Sequence, residues 1–249
     1  MRGLQGRRFL IGGGASGIGE AAARRLGEEG ALVVVADRNA AEAERVAGEI
    51  GPSAEWAEYD QGDPASIDRL FGTVAIGGSL NGVAVVAGVH PGAIPFVDIT
   101  ATALLDVHRI NVLGVMQMLQ VAAATVVDDR RSSLVVVSSV AGIRPELHDA
   151  VYASSKAAAQ AIVRSAALEF APRGLRVNSL LPGSVITPLA LSLLSREQIV
   201  EDAARILPMR RPAESSEIAG AIAFLLSDDA SHVTGTELIV DGGLFANSP

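Results

Sequence analysis

The chain has 249 residues, a formal charge of −8 at neutral pH and no cysteine. That charge argues against a nucleic-acid-binding face, which needs basic surface to neutralise phosphates. The lack of thiols excludes disulfides and thiolate metal sites, and four histidines suggest no metal ligand set.

The composition is 49% hydrophobic but only 4% aromatic, with 26 glycines, so the core must be closely packed Ala, Val, Ile and Leu. A parallel sheet covered by helices suits that composition, and the length suits one domain, 1–249. The basic stretch Met1–Arg8 runs into a glycine turn instead of a long apolar segment, and no run of about 18 apolar residues follows. The expectation is a cytoplasmic protein without a signal peptide or membrane span.

Arg8–Ile11 is a short apolar strand that breaks into Gly12-Gly13-Gly14-Ala15-Ser16-Gly17-Ile18-Gly19, followed by an alanine-rich helix to about Glu29. Strand, glycine turn and helix in that order let the backbone approach a pyrophosphate, with the helix N-terminus supplying N–H groups and partial positive charge. The next strand, Ala31–Ala36, ends in Asp37-Arg38. An acid there either accepts hydrogen bonds from an adenosine ribose and repels a 2′-phosphate, favouring NAD over NADP, or caps the helix from about Asn39 to Ile50.

The alternation continues with a strand at Ala54–Tyr59, a helix from about Pro64 to Val74, and a strand at Val83–Val86 ending in Ala87-Gly88. Asp60 either caps the following segment or lies near an adenine ring, and Gly88 permits close backbone approach. A long helix is predicted from about Thr100 to Val127, with Asn111 on an apolar face as either a satisfied core amide or part of a site. Asp128–Arg131 reads as a solvated charged turn.

The strand Leu134–Val137 delivers Ser138 and Ser139, and Tyr152 and Lys156 follow on a helix to about Ala171. Residues four apart share a helix face. An ammonium beside a phenol favours the phenolate, which is one way to make tyrosine an acid or base near neutrality, and Ser139 can offer its hydroxyl to the same substrate oxygen. After a strand at Leu175–Leu181, the break Pro182–Pro188 opens an apolar excursion, Leu189–Pro208, placed either as a substrate lid at about 186–210 or as a packing hairpin. A helix at about Glu214–Leu226 and a strand at Glu237–Val240 close the pattern. The fold expected is α/β: a single-domain, Rossmann-like, doubly wound parallel sheet of about seven strands with helices on both faces.

With Gly13, Gly17 and Gly19, Asn111, Ser139, Tyr152, Lys156, Arg176-Val177-Asn178, Pro182-Gly183, Thr187-Pro188, Val233-Thr234-Gly235 and Val240-Asp241-Gly242-Gly243 in this order, the sequence resembles the short-chain dehydrogenase/reductase family over nearly its whole length. The resemblance implies a catalytic set of Asn111, Ser139, Tyr152 and Lys156. Tyr152 would exchange a proton with the substrate oxygen, Ser139 would hold that oxygen, and Lys156 would lower the Tyr152 pKa and bind the nicotinamide ribose. Asn111 would hold a relay water.

Gly13, Ser16, Gly17, Ile18, Gly19, Asp37, Asp60, Ala87, Gly88, Tyr152, Lys156, Pro182, Gly183, Ile186 and Thr187 would form the cofactor site, with Ile186 and Thr187 at the carboxamide. His90, His148 and Leu189 are candidate substrate contacts, although a loop role also accounts for the histidines. Two departures from the family pattern stand out: Gly12 where a Thr is usual, and Val85-Val86 where two Asn are usual. Relatives are usually homotetramers, and Ala157, Ala158, Ala159 and Ala161 offer a small-residue face for close helix packing.

The implied activity is an NAD(H)-dependent interconversion of a secondary alcohol and a ketone, on a small molecule with a hydrophobic body. An enoyl reductase is disfavoured because such relatives usually space Tyr and Lys more widely. The alternative is a nucleotide-binding redox-sensing or scaffold protein without turnover, which the two departures motivate.

Overall fold

The computed structural model describes residues 1–127 and 129–247. Seven parallel strands form one sheet in the order β3-β2-β1-β4-β5-β6-β9: β1 (Arg8–Gly12), β2 (Leu32–Asp37), β3 (Ala54–Glu58), β4 (Gly82–Val85), β5 (Ser133–Val137), β6 (Arg176–Pro182) and β9 (Glu237–Val240). Strand order reverses between β1 and β4. Chain connections leave in opposite directions there, so a crevice opens beyond the strand ends.

Side chains alternate across each strand, and each face carries its own apolar layer. Leu10, Val83, Val85, Leu134 and Val136 face the layer covered by α3 (Pro64–Ile76), α5 (Val115–Thr125) and α6 (Ala150–Phe170). Phe9, Ile11, Ala84, Val135 and Val137 face α1 (Gly17–Glu28), α2 (Ala40–Ile50) and α9 (Ser215–Leu226). This is the single doubly wound sheet that the alternating pattern calls for.

The helix predicted from Thr100 to Val127 is instead three pieces. The segment α4 (Ala101–His108) runs into a π-helical turn, Arg109–Gly114, and then into α5. The inserted residue widens the helix where Asn111 turns inward, a common device near functional sites. Val126 leaves the helix and bridges Leu80.

Of the expected solvated turn Asp128–Arg131, Asp128 lies outside the described residues, as do Ser248 and Pro249 at the end of the chain. The remainder is tethered: Asp129 lies 3.5 Å from Arg7, and Arg131 pairs with Asp228. The alanine face on α6 also needs one correction, because Ala159 is only 1% exposed and belongs to the core.

The excursion after β6 folds into β7 (Val185–Ile186), α7 (Pro188–Leu191), α8 (Arg196–Ile206) and β8 (Ala213–Glu214), with β7 pairing β8. Ser195 and Gln198 close α8 with a reciprocal capping box. Ala203 and Leu207 anchor the segment on Val140, Leu181 and Leu244.

Candidate active site

A cavity of about 660 Å³ opens at the switch point between β1 and β4, within the size range of small-molecule sites. Glycines shape its floor. Gly13 has φ 84°, and a Cβ there would lie 2.5 Å from the Ala87 nitrogen. At Gly19 a Cβ would lie 1.9 Å from the Gly13 carbonyl oxygen.

The turn can therefore pack only as bare backbone, and the first N–H groups of α1 are left for an anion. Ser16, at the N-cap of α1, makes no side-chain capping bond and lines the cavity with Gly13, Gly17 and Ile18. This cradle fits a dinucleotide pyrophosphate.

Asp37 lines the same cavity. Its carboxylate accepts the Ala15 N–H at 3.2 Å and the Asn39 N–H at 3.0 Å. The cap of α2 is Asn39, whose side chain accepts from Glu42 N–H at 3.3 Å. Asp37 is thus a tethered acid at the cavity wall and not the helix cap. Asp60 also lines the cavity, and its carboxylate accepts the Gly62 N–H at 2.7 Å.

Ser139, Tyr152 and Lys156 meet on the wall above β5. Burial dominates their electrostatics. It raises the Tyr152 phenol to about 12, with the neighbouring Ser139 hydroxyl lowering it and Asp149 raising it further. Burial also lowers the Lys156 ammonium to about 8.

Lys156 Nζ donates to the Val137 carbonyl at 3.1 Å and lies 5.5 Å from the centre of the Tyr152 ring. The expected drop of Tyr152 toward neutrality is therefore absent from this arrangement. Desolvation of the phenolate is the largest influence on the phenol, and Asp149 adds to it.

Asn111 is 1% exposed and stands behind the cavity wall. Its Oδ1 accepts the Val89 N–H at 2.9 Å, while its Nδ2 donates to the Val89 carbonyl at 2.9 Å and to Ser155 Oγ at 3.0 Å. Both amide protons are taken by protein groups, so the side chain works here as a clamp on the β4 loop. A Cβ at Gly88 would lie 3.3 Å from both Asn111 Oδ1 and Lys156 Nζ, a tight fit against the two side chains.

The two departures from the family pattern are compensated by residues that sequence reasoning missed. A Cβ at Gly12 would lie 2.5 Å from the Tyr59 hydroxyl, so the buried phenol occupies the space a larger residue would need. Burial, with Asp37 and Asp60 nearby, pushes the Tyr59 pKa up, so it stays a neutral donor. It donates to Gln61 Oε1 at 3.2 Å, and Gln61 Nε2 donates to the carbonyls of Ala87 and Ile110, each at 3.0 Å. One glutamine thus braces the strand end where Val85-Val86 offers no amide.

Gln160 was also missed, although it lies one turn after Lys156 on the same helix face. Its Nε2 donates to Ser138 Oγ at 3.1 Å and to the Ser139 carbonyl at 2.9 Å, fixing the serine loop.

The remaining candidates divide. Ala87, Gly88, His90, Pro182, Gly183, Thr187 and Leu189 line the cavity. Thr187 also caps α7, its Oγ1 accepting the Ala190 N–H at 3.1 Å. Gly19 lies beneath the turn, and Ile186 is buried in β7 with its carbonyl accepting from Ser215 Oγ at 3.1 Å. His148 is exposed and outside the lining, and its carbonyl accepts the Ile94 N–H at 2.8 Å. Among the described residues no cluster of three His, Asp or Glu suits a metal ion.

A doubly wound sheet with this glycine turn and this serine, tyrosine and lysine grouping defines a class, and the chain belongs to it: the short-chain dehydrogenase/reductases. The family model described as Enoyl-(Acyl carrier protein) reductase matches residues 13–245. The chain is 36% identical over 245 residues to a glucose 1-dehydrogenase of Gluconobacter oxydans, spanning 96% of this chain and 92% of that protein.

It is 34% identical over 245 residues to a 2,5-dichloro-2,5-cyclohexadiene-1,4-diol dehydrogenase of Sphingobium indicum, spanning 96% of each. A solved short chain dehydrogenase/reductase family protein superposes with a TM-score of 0.88 at 37% identity, over 98% of this chain and 99% of that one. The protein is an oxidoreductase of a family that binds nicotinamide cofactors.

Two measurements test this arrangement. Gly12→Ala should cost about 1–3 kcal/mol in urea unfolding, and measurably less in a Tyr59→Phe background. Additive costs would show that the phenol does not fill that space. The second concerns Lys156, whose pKa falls on folding from 10.5 to about 8.

The folded state binds fewer protons between those values, so stability rises with pH across that window, and the full cost of the buried charge is present below it. Lys156→Met should therefore be the more stable protein at pH 7 by on the order of 1–3 kcal/mol. That advantage should shrink as pH climbs from about 8 to 10.5. A less stable variant at pH 7 would show that the bond to the Val137 carbonyl outweighs desolvation.

Proposed function

We propose that the protein is an NAD(H)-dependent oxidoreductase interconverting a secondary alcohol and a ketone on a substrate with a hydrophobic body. The observation that carries this reading is the grouping of Ser139, Tyr152 and Lys156 on one wall of the cavity whose floor is the glycine cradle. A bound nicotinamide supplies the hydride donor or acceptor.

Tyr152, still protonated at neutral pH because burial holds it near 12, gives its proton to a ketone oxygen in reduction; in oxidation it must first lose that proton, and then, as the phenolate, it takes one from the hydroxyl. Ser139 holds that oxygen beside the phenol. Lys156 has ammonium protons beyond the one bonded to Val137, with which to bind a ribose hydroxyl, while Asn111 clamps the loop that walls the site.

Asp37 supports NAD over NADP, since a carboxylate at that wall repels a 2′-phosphate. The roof supports a hydrophobic substrate body: Leu189, Leu193, Leu194 and Ile206 line the cavity from the α7–α8 segment, which we assign as the lid. The two relatives named above are dehydrogenases, one of glucose and one of a cyclohexadiene diol. The scaffold alternative loses its motive, because Tyr59 and Gln61 restore the bracing that Gly12 and Val85-Val86 lack.

We also assign a homotetramer, supported by uncovered apolar side chains at Leu105, Leu113, Met116 and Leu168 on α4, the π turn, α5 and α6. Sedimentation equilibrium should return four times the chain mass of 25.6 kDa, and a monomer would overturn this assignment.

The central test is a calorimetric titration with NADH and NADPH. NADH should bind about tenfold or more tightly, and Asp37→Ser should narrow that ratio. Tyr152→Phe should keep NADH binding while losing turnover on a panel of cyclic alcohols and ketones. Undiminished turnover would sink the proton-transfer role, and no binding of either nucleotide would sink the oxidoreductase reading of this site.

A further inference from the structure

The helix that carries Tyr152 begins with an acid that does not cap it. Asp149 occupies the N-cap of α6, where a carboxylate ordinarily accepts a first-turn N–H, yet its side chain makes no such bond. The residue before it, His148, has φ 62°, a left-handed backbone that residues with a Cβ rarely adopt. The turn so formed presents Asp149 to the cavity.

The Asp149 side chain is only 11% exposed, and its Oδ1 lies 3.1 Å from His90 Nε2. The pair is not aligned as a hydrogen bond, and Oδ1 is buried without a hydrogen-bond partner. Such an acceptor is costly to leave unmet.

His90 supplies the complementary donor. The Gly92 N–H donates to its Nδ1 at 3.0 Å, so the neutral ring carries its proton on Nε2, on the side of Asp149. The same ring lies against Tyr152, with centroids 4.4 Å apart and planes tilted by 37°. A buried acceptor without a partner and an oriented donor therefore stand side by side, next to the proton-transfer residue. A hydroxyl that enters from the cavity as the pair parts to admit it satisfies both at once, donating to the carboxylate and accepting from the imidazole. A hydrocarbon, ether or ketone leaves the carboxylate unmet.

The geometry points to a subsite for a second substrate hydroxyl, formed by His90 and Asp149, on the carbon next to the reacting carbinol. The substrate class is then a cyclic vicinal diol or polyol. This rests on the alcohol–ketone reading of Tyr152. In oxidation the carbinol carbon gives hydride to the nicotinamide cofactor and the carbinol oxygen gives its proton to Tyr152, which has first lost its own and acts as the phenolate. The second hydroxyl keeps all its bonds, so the product is an α-hydroxy ketone. The apolar roof covers the ring face while this pair reads its edge.

The experiment compares kcat/KM for cyclohexanol with that for cis- and trans-1,2-cyclohexanediol under NAD, and follows NADH binding by fluorescence in every variant as a check of folding. Wild type should favour one diol isomer by about tenfold or more. That ratio should fall by about tenfold in His90→Phe, which keeps a ring against Tyr152 but has no N–H, and in Asp149→Ala. Asp149→Asn keeps an acceptor oxygen and should restore part of it.

Turnover of cyclohexanol with no diol preference in wild type, or equal losses on both alcohols in the variants, overturns the subsite while the oxidoreductase reading stands. Turnover of neither alcohol by a wild type that binds NADH overturns the alcohol reading together with the subsite.

Discussion

Backbone against backbone, the turn after β1 and the end of β4 touch so closely that a single added carbon at Gly13 would lie 2.5 Å from the Ala87 nitrogen. The rest of the site depends on that approach. It closes the floor of the cavity where the strand order reverses, and it sets the N-terminus of α1 at one end. The β4 loop, Ala87 to His90, is fixed as the wall facing Tyr152. Hydrogen bonds from the Val86 and Ala87 N–H groups to the Gly12 carbonyl, at 2.8 and 3.0 Å, hold the two strand ends in register.

On the wall, burial works on the two ionisable groups in opposite directions. Phenolate and ammonium are both charged forms, and removing water disfavours each, so tyrosine rises and lysine falls. A phenol kept protonated suits proton donation to a ketone. A lysine made easier to neutralise sits beside it, its Nζ bonded to the end of β5. Ser138, Ser139 and Gln160 then lock the loop that delivers the serine hydroxyl to the same point.

The site also shows how one fold accommodates a changed sequence motif. Loss of a side chain at Gly12 is matched by a tyrosine on β3's end, and loss of amides at Val85-Val86 is matched by Gln61 two residues further on. The two compensations are one chain of hydrogen bonds, from Tyr59 through Gln61 to Ala87 and Ile110. A buried amide that meets its partners on both sides rigidifies the strand end it bridges.

The alternation of apolar runs with alanine-rich helical stretches was enough for the α/β class and the single domain, because strand and helix periods are local properties of the chain. The glycine turn after Ile11, the acid at Asp37 and the four-residue step from Tyr152 to Lys156 were legible for the same reason. Each is a short-range pattern whose geometry follows from the element that carries it. The family resemblance supplied the order in which those patterns meet.

What the tertiary structure alone decided were contacts between residues distant in the chain. No local spacing links Gly12 to Tyr59, Gln61 to Ile110, or His90 to Asp149. The widening of the helix at Asn111 accompanies a clamp to Val89 and Ser155, which sequence periodicity does not encode. Burial of the tyrosine and lysine, and with it the direction of their proton affinities, depends on the packing of several elements around them. Desolvation is a property of the assembled surroundings and not of any residue's neighbours in sequence.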